Sequence, residues 1–159
     1  MPTVDQAIDD FLAQKRIAVA GVSREGAGQH SGNGVYLRLK ERGYEVFAVN
    51  PNADMVEGDK CYHDLKSIPG GVDAVVIATR PEVAPEIAKE CAELGITRVW
   101  MHRSFGAGSV SKEAHQFCQS NGIDCIAGGC PLMYGKTSDG GHRFMRALAG
   151  LFGQLPKSI

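Results

Sequence analysis

Residues 17–22 read IAVAGV, an apolar run without alternation that passes straight into a glycine-rich loop. A strand apolar at every position must be covered on both faces, and that confines it to a sheet sandwiched between helices. Comparable runs recur at 44–49 (YEVFAV), 73–78 (DAVVIA), 98–101 (RVWM) and 123–126 (IDCI). Between them the spacing turns helical. A first helix begins at Thr3, a capping residue, with Val4, Ala7, Ile8, Phe11 and Leu12 on one face that packs at the sheet edge. A second starts near Asn33 and stops at Gly43, where glycine suits the position just past a helix end. Over 81–94 an apolar stripe of Val83, Ile87, Cys91 and Leu94 opposes Glu82, Glu86, Lys89 and Glu93. Further helices are expected at about 109–120 and about 142–152, the last carrying Phe144, Met145, Leu148, Leu151 and Phe152. The stretch VEGDKCY from Val56, with its turn pair Gly58-Asp59, reads as a small excursion outside the core.

Strands alternating with helices imply parallel pairing and helices on both faces. The expected class is α/β, a Rossmann-like doubly wound parallel five-stranded sheet. At 159 residues the chain suits one domain, with a core over 16–133, an N-terminal helix over 3–14 and the C-terminal helix outside that core.

With 22% charged residues and a formal net charge of −1, no global field favours nucleic acid or an anionic membrane. A signal-peptide pattern and a long unbroken apolar run are both absent from the sequence, so a cytoplasmic address is expected. Cys61, Cys91, Cys118, Cys125 and Cys130 form no C-x-x-C and read as reduced thiols, mostly core filler. His30, His63, His115 and His142 lack partners at metal-ligand spacing, so no metal site is expected.

In an open parallel sheet, ligands gather beyond the carboxyl ends of the strands, where the winding reverses. The corners there read GVSREGAGQHSGNG, NPN, TRP, HRSFGAGS and GGCP. Three present a guanidinium, Arg24, Arg80 and Arg103, and the small residues allow backbone N–H groups to approach a phosphate. None has an acid directly after its strand, Glu25 being the nearest, and a helix start at Asn33-Gly34 adds partial positive charge. A phosphorylated ligand is implied. Enzymes that bind NAD place a carboxylate after the second strand for the ribose hydroxyls and carry G-x-G-x-x-G in the first loop. Here the loop begins Gly21-Val22-Ser23 and the corner is Asn50-Pro51. A ribose bearing a 3′-phosphate would be repelled by an acid at that corner and tolerated by an amide with an arginine nearby. Coenzyme A is a common ligand of that kind.

The blocks IAVAGVS, GVYLRLKERGYEVFAVNP, VEGDKCY, VDAVVIATRPE and GITRVWMH, in that order, resemble the small stand-alone CoA-binding proteins, whose fold is similar to the N-terminal domain of the succinyl-CoA synthetase α-subunit. The resemblance covers about residues 16–133. It implies a site for CoA or an acyl-CoA with Gly21, Val22 and Ser23 against the diphosphate and Asn33 and Gly34 at the following helix start. It sets Asn50 and Pro51 beside the ribose and adenine, and has Ala78, Thr79, Arg80 and Pro81 border the adenosine half, with Arg24 a phosphate partner. After Trp100 the family commonly has a glutamine and a glycine, and at the last corner an aspartate, arginine and cysteine; MHRSFGAGS and GGCP depart from both.

His102 reads as a rim-polar or hydrogen-bonded histidine, because in the synthetase resemblance the phosphorylated histidine belongs to a second domain. Cys130, after two glycines and before Pro131, is a candidate exposed thiol for a mixed disulfide with CoA. There is no G-x-S-x-G elbow, and Ser23 is better placed to bond a phosphate than to attack a carbonyl. The expected function is therefore a non-catalytic or regulatory binding module. The alternatives are an NAD(P)-dependent oxidoreductase and a redox-sensing Rossmann domain. The apolar face of the last helix is a candidate homodimer contact.

Overall fold

The run at 17–20 becomes the middle of a seven-stranded sheet in the computed structural model, which describes residues 2–24, 31–103, 108–135, 140–151, 155–156 and 159. Its strands are β1 (Arg16–Ala20), β2 (Glu45–Val49), β3 (Met55–Val56), β4 (Asp59–Tyr62), β5 (Ala74–Ile77), β6 (Arg98–Met101) and β7 (Asp124–Ala127). They lie in the order β3-β4-β2-β1-β5-β6-β7, and every pairing is parallel except β3 with β4. The helices are α1 (Val4–Leu12), α2 (Ser31–Glu41), α3 (Ala84–Glu93), α4 (Lys112–Ser120) and α5 (Gly140–Leu151).

The side-chain period of two explains why the strand sequences show no polar face. Ile17, Val19, Ala74, Val76, Trp100 and Ile126 join α1 and α2 in one apolar layer. Their neighbours Ala18, Ala20, Val75, Ile77, Val99, Met101 and Cys125 join α3 and α4 in the other. Each large side chain so buried contributes roughly 1.5–3 kcal/mol, which makes the two layers the main source of stability. Trp100 is fully buried, meets Phe11 of α1 edge-on at 5.3 Å, and donates its indole N–H to the Gly128 carbonyl at 2.8 Å, so no polar atom of the ring is stranded. Thr3 caps α1 as expected, in a reciprocal capping box with Gln6.

Two expectations need correction. The segment from Met55 is no excursion: β3 and β4 form a hairpin, and β4 extends the sheet by pairing parallel with β2. That gives seven strands where five were expected. On α3 the buried residues are Ala84, Pro85, Ala88 and Cys91, whereas Val83 and Leu94 are 37% and 43% exposed. Small alanines let the helix lie close on the sheet, and the larger residues of the expected stripe fall to its side. All five cysteines are free and buried. Among the described residues no helix is long and apolar enough to cross a membrane. Glu25, His30 and Phe152, singled out above, lie outside the described residues, as do residues 104–107 of the fourth corner and the side chains of Met145, Leu148 and Leu151.

Candidate functional site

β1 is followed by a connection to β2 on one side, while β5 continues the sheet on the other, so the winding reverses beside the carboxyl end of β1. A cleft of about 410 Å³ opens there. Gly21, Val22 and Ser23 line it from the end of β1, Asn50 and Pro51 from β2, and Thr79 and Arg80 from β5. Seven of the residues expected at the site are thus brought together.

The close approach of these corners has a specific cause. Gly21 has φ +105°, and a Cβ there would sit 2.4 Å from the Ala78 carbonyl oxygen. Gly32, in the first turn of α2, is also tightly placed, since a Cβ there would lie 2.8 Å from the Gly21 oxygen. Only glycine permits this convergence of two strand ends and a helix start.

Two asparagines then lock the corners together. Asn50 donates from Nδ2 to the Val22 carbonyl at 2.7 Å, while its Oδ1 accepts the Asn52 N–H at 2.8 Å. Asn33 is fully buried, accepts the Ser23 N–H on Oδ1 at 2.6 Å and donates from Nδ2 to the Ser23 carbonyl at 2.8 Å. Its other Nδ2 hydrogen reaches Glu57 Oε1 at 3.0 Å. Asn33 therefore stands behind the loop rather than in the cleft wall. The Gly21 N–H is likewise engaged, donating to the Val49 carbonyl at 3.1 Å. Two of the three loop amides have protein acceptors, a point that glycine content alone does not reveal.

The three arginines separate. Arg80 lines the cleft, Arg24 is exposed on the loop beside it, and Arg103 is half-buried between the ends of β6 and β7, its guanidinium packed against Gly128. Ala78 and Pro81 adjoin the lining residues Thr79 and Arg80 in the chain, and Gly34 follows Asn33 in α2; none of the three lines the cleft.

Sequence reasoning missed one whole wall. His63, Asp64 and Leu65 enter from the end of β4, and Val83, Glu86, Ile87 and Glu90 from α3. The wall is apolar at Leu65, Val83 and Ile87, and its carboxylates have protein partners. Glu90 accepts the Leu65 and Lys66 N–H groups, the latter at 3.1 Å, and Glu86 pairs with Lys89 at 3.1 Å. Asp64 accepts from the Ser67 N–H and hydroxyl, and these bonds hold its carboxyl below the usual range. His63 bonds Asp54 at 2.8 Å. The signal was available: residues 63–65 also follow a parallel strand, once β4 is recognised as one.

Burial decides between the readings of two reactive groups. Cys130 is 1% exposed and belongs to the same apolar layer as Trp100, so it is no surface thiol. His102 is buried rather than on the rim; desolvation and then the charge of His142 push its pKa down to about 4.

A mostly parallel sheet with helices on both faces and a switch-point cleft walled by strand ends and the first turns of a helix defines a Rossmann-like α/β domain. The chain belongs to the CoA binding domain family, whose model matches residues 15–136. It is 34% identical over 117 residues to the uncharacterized protein YneT of Bacillus subtilis, covering 73% of this chain and 82% of that one. It is 39% identical over 89 residues to the ADP-forming acetate–CoA ligase II of Archaeoglobus fulgidus, a match covering 55% of this chain and 13% of the ligase. The chain thus spans a small part of that relative's length. Among solved structures it is similar to Prb, a protein redesigned for binding, with a TM-score of 0.73 at 25% identity, covering 97% of this chain and 95% of that one.

Proposed function

We propose that the cleft binds coenzyme A or an acyl-CoA and that the domain acts as a binding module without chemistry of its own. The observation that carries this reading is the corner after β2. It holds an amide whose Nδ2 donates to the Val22 carbonyl at 2.7 Å, where NAD-binding folds hold a ribose-binding carboxylate. No acid at that corner opposes a phosphate on the ribose. Arg80 on the facing wall supplies a cation for it, with Arg24 on the neighbouring loop. The apolar wall of Leu65, Val83 and Ile87 suits the flat face of a purine, with Asn50 and Pro51 beside base and ribose. Ser23 and Val22 would border the diphosphate, with Gly21 beneath it and Asn33 and Gly34 behind it. Thr79 and Arg80 would flank the adenosine half from β5, backed by Ala78 and Pro81.

The ligases among the relatives are named for CoA chemistry, which supports the same ligand class. Catalysis by this domain alone is not supported by the cleft. Glu90, Glu86 and Asp64 hold backbone or side-chain partners and His63 is bonded to Asp54, so the carboxylates and the imidazole that line the cleft are all engaged by protein groups. The test is calorimetry with CoA, dephospho-CoA, NAD and NADP. CoA is expected to bind most tightly, dephospho-CoA more weakly by the lost phosphate contact, and NAD weakest. NAD binding as tight as CoA overturns the reading.

A further inference from the structure

Glu57 has φ +52° and is the one non-glycine residue of left-handed backbone among the described residues. It occupies the first central position of the two-residue turn between β3 and β4, with Gly58 at φ +78° in the second. Asparagine, aspartate or glycine suits that position far better than glutamate, so the residue is held there at a cost. Its reach is what the alternatives lack: the longer side chain carries its carboxylate across to α2, where it accepts from Asn33 Nδ2 at 3.0 Å. Asn33 in turn brackets Ser23, taking its N–H at 2.6 Å and giving to its carbonyl at 2.8 Å.

The hairpin is fastened to the same helix a second time. Asp59 accepts from the Tyr36 hydroxyl at 2.6 Å and from Lys40 Nζ at 2.5 Å. Asn33, Tyr36 and Lys40 recur at three- and four-residue spacing, so one face of α2 meets the hairpin along its length. Glu57 is thereby fixed against Asn33, and the amide plane that orients the Ser23 peptide has its last hydrogen satisfied.

We propose that Glu57 is a positioning residue for the ligand loop: through Asn33 it sets the orientation of the Ser23 peptide at the wall of the cleft. This rests on reading the cleft as the CoA site. A residue serving the loop and a residue serving only the hairpin respond differently to substitution. Glu57→Gly relieves the left-handed backbone and removes the acceptor; Glu57→Ala removes the acceptor without that relief; Glu57→Gln keeps a carbonyl oxygen for Asn33.

The experiment measures thermal midpoint, CoA affinity and hydrogen exchange of the Ser23 amide for all three variants. Glu57→Gly is expected to melt at or above Glu57→Ala. Both should bind CoA about three- to tenfold more weakly than the parent, as for one lost hydrogen bond, with Glu57→Gln within about twofold. Ser23 exchange should quicken in the glycine and alanine variants and not in the glutamine one. Affinities that rank with the midpoints instead of with the acceptor, or a Ser23 exchange rate unchanged in Glu57→Gly, overturn the proposal. Should the parent protein fail to bind CoA, the proposed function falls, while Ser23 exchange still decides whether Glu57 sets that peptide.

Discussion

Asn50 Nδ2 donates to the carbonyl of Val22 at 2.7 Å, tying the corner after β2 to the loop after β1. The bond needs a donor at that position, and a carboxylate has none at neutral pH. Structural reasons for an amide therefore coincide with the proposed ligand: the same group that leaves the corner free of negative charge also joins the two loops that wall the cleft.

Replacing Asn50 by aspartate is expected to cost about 1–3 kcal/mol of stability, because a carboxylate would face the Val22 oxygen across the former hydrogen bond. Asn50→Ala, which leaves the carbonyl unpaired without adding a charge, should cost less. Denaturant melts of both variants measure this. Equal stability of Asn50→Asp and the parent would show that the corner tolerates an acid and that the amide has no structural role.

Gly21→Ala is expected to be the most damaging single methyl in the loop. At φ +105° the added Cβ would sit 2.4 Å from the Ala78 oxygen, which belongs to backbone and cannot swing aside. The loss should reach about 3 kcal/mol or more, as for other substitutions that combine strain with a clash. Gly34→Ala is the control, since a Cβ there meets nothing within 4 Å. A Gly21→Ala melt no lower than that of Gly34→Ala would contradict the close approach of the strand ends.

The parallel sheet is legible in the sequence because strands such as 74–77 are apolar throughout, a pattern that only two-sided burial explains. The switch-point rule then locates Gly21, Asn50 and Arg80 from their places after strands. β4 escapes because only Cys61 of its four residues is buried, so its sequence resembles a loop. With it go His63, Asp64 and Leu65. Val83 and Ile87 read as core because an apolar residue facing a ligand cleft has the same helical period as one facing the sheet. Periodicity names a face, and only the fold says what covers it. The Asn33–Glu57 pair, 24 residues apart, has no local signature at all.

Cys130 should be inert in the folded protein. At 1% exposure it offers no path for a disulfide reagent, and the other four thiols are buried too. Oxidised CoA is expected to give no adduct on Cys130 by intact-mass and peptide analysis under native conditions, whereas denaturant should expose all five thiols. A native adduct on Cys130 would mean that the segment around Pro131 opens.

Acid stability should carry the imprint of His102. Burial, then the nearby His142, push its pKa down to about 4 from an ordinary 6.5, so the folded protein holds the ring neutral. In the unfolded chain the ring regains its ordinary value. Between pH 6.5 and 4 the unfolded state therefore binds a proton that the folded state refuses, and stability falls as pH falls. The contribution is complete above pH 6.5 and declines through this window by up to about 3 kcal/mol. Asp59, bonded by Lys40 and Tyr36, and Asp64, bonded by Ser67, are held below the usual carboxylate range, so their losses come at lower pH and do not mask the histidine. His102→Gln removes the titration while keeping a polar side chain. Its melting midpoint should change less between pH 6.5 and 4.5 than the parent's, although the two need not agree at pH 7. Parallel curves across that range would show that the ring is already charged in the folded state, and the packing assigned to the end of β6 would be wrong.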